Sequence, residues 1–70
     1  MINIYTPEFS YNCRGFLINI KYISTVRIGE NCFRIYFIGE PNDPIVVEYK
    51  SEEFRDKDLN RLAGMLEGIN

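Results

Sequence analysis

The sequence predicts an α+β fold: a small antiparallel β-meander of three to five strands, with one C-terminal amphipathic α-helix packed on one sheet face. Three observations carry this expectation. Apolar residues repeat at period two through Phe33, Ile35 and Phe37, and again through Ile45, Val47 and Tyr49, the alternation of half-buried strands. Two stretches dense in turn formers, Gly29-Glu30-Asn31 and Gly39 to Pro44, bound these runs. Leu59, Leu62, Ala63 and Leu66 then follow i, i+3, i+4, i+7 spacing, the apolar stripe of a surface helix.

Seventy residues suit one small domain spanning 1–70. The 46% hydrophobic and 26% charged content matches globular averages and argues against disorder. No apolar run approaches the roughly 18 residues of a membrane span, so no membrane partner is expected. The start lacks a basic region followed by an apolar stretch, so no export signal is read. Reduced thiols in a cytoplasm are therefore expected. Whether Cys13 and Cys32 can pair stays open. The net charge of −2 gives no pull toward polyanions, although residues 1–37 carry +2 and residues 38–70 carry −4.

Taken in order, Ile2-Asn3-Ile4-Tyr5 alternates and reads as a short strand, and Thr6-Pro7-Glu8 interrupts it with the makings of a helical turn. Asn12-Cys13-Arg14-Gly15 reads as a turn. The even positions from Phe16 to Ile28 are almost all apolar, yet one straight strand there would exceed about 40 Å at roughly 3.3 Å per residue. Ile23 also falls on the wrong parity. A bend, a bulge or a single helical turn near Lys21–Ser24 is expected. After the meander, Ser51 suits an N-cap, with Glu52 and Glu53 in the first turn. The helix begins at Glu52, or only after Asp58 at Leu59; Gly68 ends it. This meander and helix, over roughly Phe16 to Ile69, resembles in architecture the latter part of pleckstrin-homology-type folds. No specific motif carries the likeness, and it implies no function.

Register follows from matching the buried faces, because a one-residue slip would send the apolar set to solvent. Ile28 is set against Phe33, Val26 against Ile35 and Ser24 against Phe37; Phe33 against Tyr49, Ile35 against Val47 and Phe37 against Ile45. The opposite face then carries Arg27, Arg34 and Glu48 in one row, Thr25, Tyr36 and Val46 in the next, and Cys32 beside Lys50. The helix covers only one face, so Thr25, Arg27, Arg34, Tyr36, Val46, Glu48 and Lys50 form the candidate interaction surface. Arg and Tyr are common at binding hot spots.

Catalytic chemistry is sparse. Histidine is absent, so neither the cysteines nor Ser10, Ser24 and Ser51 have their usual base. The carboxylates Glu52, Asp56 and Asp58 read as a solubilising helix surface. No zinc set, calcium loop or glycine-rich phosphate cradle is present, so no cofactor, metal or enzyme activity is expected. The expected function is a small non-catalytic interaction module. It binds another protein or self-associates through the open sheet face or an edge strand, with Ile2–Tyr5 a strand that could be exchanged. The alternative is nucleic-acid binding, with bases stacked on Tyr22, Tyr36 or Tyr49 and phosphates on Arg27, Arg34 and Lys50.

Overall fold

The computed structural model describes residues 3–68, so Ile2 of the expected first strand and Ile69 of the likeness lie outside it. Two small antiparallel sheets and one helix form the α+β fold. In the first sheet, β1 (Ile4–Tyr5) pairs with β2 (Ile18–Asn19). A single 3₁₀ turn, Ile20–Tyr22, leads into β3 (Ile23–Ile28), which pairs with β4 (Cys32–Phe37); β4 pairs in turn with β5 (Glu40–Glu48). Helix α1 (Glu52–Glu67) returns across one face and packs on β4. Among the described residues no helix is long and apolar enough to cross a membrane.

The expected break between Phe16 and Ile28 is a 3₁₀ turn followed by a bulge. Asn19 caps the turn by accepting from the Lys21 amide. Ile23 then pairs with Phe37 and Thr25 with Tyr36, which leaves Ser24 as the extra residue. This bulge replaces the expected Ser24–Phe37 pair and restores Ile23 to the core side. Thr6-Pro7-Glu8 forms no helical turn; its backbone is irregular and bends at Glu8.

The β4–β5 register differs from expectation by two residues at Phe33 and Ile35 and by five at Phe37. Phe33 faces Val47, Ile35 faces Ile45 and Phe37 faces Glu40. The connection is a tight turn at Ile38-Gly39, with Gly39 at φ +84°, the positive φ that a type II turn needs at its third residue. Residues 41–44 then loop out opposite Tyr36, within β5 rather than in a long loop. Two prolines are tolerated there because no ladder hydrogen bond is asked of them. A slip of two preserves parity, so the hydrophobic pattern fits either register equally well.

The core comprises Tyr5, Cys13, Ile18, Ile20, Phe33, Ile35, Val47, Tyr49 and Leu62, with Leu59, Met65 and Leu66 of α1 packed against it. The helix begins at Glu52, with the Ser51 hydroxyl accepting from the Phe54 amide, and Gly68 caps its end. Ala63, expected on the apolar stripe, is exposed. A carboxylate takes a place in the buried stripe instead. Asp58 is 0% exposed, which corrects its reading as solubilising surface. Its oxygens accept from the amides of Glu8 (3.0 Å) and Phe9 (3.0 Å), from the Tyr49 hydroxyl (2.8 Å) and from Arg61 (3.3 Å). Its backbone carbonyl accepts from the Tyr5 hydroxyl at 3.0 Å. Arg61 also donates to Thr6 O at 2.6 Å and lies over the Tyr5 ring.

Burial costs a carboxylate its hydration, and donors aimed at both oxygens are what offset that cost. Replacing Asp58 with Asn would turn one acceptor into a donor facing other donors. Asp58→Asn is expected to lose roughly 3–4 kcal/mol, and Tyr49→Phe about 1–2 kcal/mol, in urea unfolding. A loss below about 1 kcal/mol for Asp58→Asn would contradict this account. Burial first, and the neighbouring Asp58 second, push the Tyr5 and Tyr49 phenols well above their ordinary 10.0. Below that value both states keep these protons. Above it the unfolded chain ionises while the native phenols do not, so stability is lost as pH rises past about 10. Thermal melts across pH 8–11 should show that decline, shallower in Tyr49→Phe.

Candidate functional site

The hydrogen-bond alternation of the meander sets which backbone groups and side chains face outward. Gly29 N donates to Cys32 O, and Tyr49 N to Asn31 O, both at 2.8 Å. Carried along the registers, these bonds point the backbone groups of Thr25 and Arg27 toward β4, and those of Val26 and Ile28 away from it. On β5 the same alternation points Val46 and Glu48 outward.

These two sheet edges are treated differently. The Ser10–Cys13 segment covers the β5 edge. Asn12 Nδ2 donates to Val46 O at 2.9 Å, its Oδ1 accepts from the Glu48 amide at 2.9 Å, and the Ser10 hydroxyl and Tyr11 amide both donate to Glu48 O. The Cys13 thiol is buried and donates to Val46 O; burial, with Glu48 nearby, pushes its pKa up. Cys13 and Cys32 are both free thiols. Among the described residues, no backbone group is bonded to the outward edge of β3.

The face opposite the helix carries most of the expected surface, in altered rows. Arg27 faces Arg34 as expected, but Arg34 is flanked on its other side by Val46 rather than Glu48. Thr25 faces Tyr36, and Cys32 sits beside Glu48 rather than Lys50. The two-residue register difference moves each β5 residue along, so the expected salt-bridged row does not form. The Glu48 carboxylate is held instead by Asn12 Nδ2 (3.2 Å) and the Tyr11 hydroxyl (3.3 Å). Among the described residues, no carboxylate lies within 4.0 Å of Arg27 or Arg34. Lys50 lies beyond β5 and lines a separate depression with Arg14 and Phe54. The structure thus brings together Thr25, Arg27, Arg34, Tyr36 and Val46, keeps Glu48 one row away with its carboxylate bound to Asn12 and Tyr11, and separates Lys50 from them. Ser24, Thr25, Arg27, Tyr36 and Pro41 bound a shallow hollow of about 300 Å³.

The three tyrosines expected to stack bases do not share this face. Tyr49 is buried in the core against Phe33, and Tyr22 stands at the far end of the sheet beside the β4–β5 turn, where Ile38 N donates to Tyr22 O. Only Tyr36 remains among the arginines.

A second concave surface escaped the periodicity argument. A groove of about 470 Å³ lies between Leu17 and Tyr22 on one side and Ile38, Pro44 and Ile45 on the other. Leu17 is an apolar residue on the outward parity of its run, the one local sign of this groove. Comparison with protein-family models, with curated proteins and with solved structures finds no match for this chain.

Asn12→Ala would strip the β5 edge of one donor and one acceptor. A loss of about 1–2 kcal/mol is expected, with faster hydrogen exchange at the Glu48 amide. Unchanged exchange there would show that Asn12 does not cover this edge.

Proposed function

We propose that this chain is a small non-catalytic protein-interaction module. In this reading it pairs with a second copy through β3 and presents its open sheet face to an acidic partner. The observation that carries the proposal is the Arg27–Arg34 pair, directly opposed across two strands with no carboxylate within 4.0 Å of either among the described residues. Like charges so placed cost roughly 0.2–1 kcal/mol, and a carboxylate from a partner would offset that. Half-buried Tyr36 and Val46 beside them supply apolar area, and the Ser24 and Thr25 hydroxyls line the same hollow.

The charge pattern also argues how copies meet. Two open faces pressed together would gather four guanidinium groups, which disfavours that arrangement. Edge pairing avoids the clash. With Val26 opposite Val26 of the second copy, each Arg27 falls beside a Thr25. Exposed Ile28 would gain cover there. Strand addition of this kind draws on otherwise unpaired backbone groups. The nucleic-acid alternative keeps its arginines but has one tyrosine on the face where stacking calls for several.

Val26→Pro tests the edge directly. It deletes an N–H that faces away from β4, so the monomer should still fold. Light scattering at millimolar concentration is expected to show a dimer for the natural chain and a monomer for the variant. A natural chain that stays monomeric would remove self-association from the proposal. Arg27→Glu with Arg34→Glu should abolish binding of an acidic partner while leaving the dimer intact, measured by the same method with the partner added.

A further inference from the structure

The groove at the end of the sheet lies apart from the arginine face and calls for a different ligand. Its walls come from three places brought together only by the fold: the segment around β2 and the 3₁₀ turn, the Ile38-Gly39 turn, and the looped-out stretch of β5. Leu17, Ile38 and Tyr22 are 78%, 64% and 61% exposed, three of the four most exposed large apolar side chains among the described residues. Scattered singly such residues are ordinary, but gathered around one hollow they mark a binding surface. The hollow's volume of about 470 Å³ falls in the range of ligand and side-chain pockets. The floor is apolar, since Ile18 is buried and Phe37 and Ile45 pack against the core.

Two acids set the chemistry of the occupant. Glu40 and Asp43 line the same groove. Among the described residues, no Lys or Arg nitrogen lies within 4.0 Å of either carboxylate, and neither accepts a side-chain hydrogen bond. Carboxylates beside an apolar hollow favour a ligand that carries cations next to its apolar anchor and disfavour acidic ones. We infer that this groove docks a segment of another protein in which a large aliphatic or aromatic side chain is flanked by Lys or Arg. The anchor seats between Leu17, Tyr22 and Ile38, and the cation meets Glu40 and Asp43.

Selection of random twelve-residue peptides displayed against the immobilised full chain tests this. Enriched peptides are expected to carry Lys or Arg within two positions of a large apolar residue, and to shift the Leu17, Tyr22 and Ile38 amides in NMR titration. Ile38→Asp, at an exposed turn position that leaves the fold intact by circular dichroism, should weaken them roughly tenfold or more. Glu40→Gln with Asp43→Asn should weaken the basic peptides several-fold and leave an uncharged analogue unaffected. Among the peptides that shift the Leu17, Tyr22 and Ile38 amides, acidic or uncharged flanks, indifference to either variant, or the absence of any such peptide would overturn the inference. So would loss of self-association in Ile38→Asp, which would make the second copy the occupant. None of these results bears on the arginine face, whose own test is the Arg27→Glu, Arg34→Glu pair.

Discussion

A carboxylate in the interior of α1 organises this molecule. Asp58 stands where a leucine would complete the helix's apolar stripe, and it gathers the amides of Glu8 and Phe9, the Tyr49 hydroxyl and Arg61 around its two oxygens. A 70-residue chain buries only about 60% of the surface its unfolded form exposes, which leaves little margin for loosely held segments. The N-terminal stretch has few residues in regular structure, and Asp58, with Arg61 and the Phe9–Phe54 stack, ties it to the helix. That attachment in turn positions Ser10–Cys13 along β5. Helix, loop and sheet edge are therefore linked through one buried charge.

Two further contacts dock the N-terminal turn of α1. Arg55 donates to Gly29 O and Glu30 O at 2.7 and 2.6 Å and so joins the first helical turn to the β3–β4 turn. Phe54 stacks on Phe9 with ring centroids 5.7 Å apart, and Lys57 lies over both rings. The polar run from Arg55 to Asp58 is thus largely engaged in tertiary contacts. With the helix committed to one face of the sheet and the loop to one edge, the opposite face and edge stay open among the described residues. The arrangement that secures the core also decides which surfaces are left for partners.

Much of the architecture was legible in the residues. The period-two runs located β4 and the second half of β5, and the first hairpin's register was readable through Ile28–Phe33 and Val26–Ile35. Off-parity Ile23 signalled the bulge. The candidate face was legible as a set of side chains because parity alone assigns Thr25, Arg27, Arg34, Tyr36 and Val46 to one side. Their neighbours were not. Registers two residues apart place the same side chains inward, so no hydrophobic pattern separates Glu48 from Val46 as the residue beside Arg34.

What the sequence by itself determined is the local and periodic part: two facing strand patterns, a capped helix, and a surface whose side chains alternate away from the core. These depend on each residue's own preferences and on its neighbours a few positions away. The tertiary structure alone decided the β4–β5 register, the burial of Asp58, the covering of one sheet edge and the groove formed from Leu17, Tyr22 and Ile38. Each of those depends on groups distant in the chain meeting in space, where hydrogen-bond satisfaction and close packing select among alternatives that sequence spacing leaves equal.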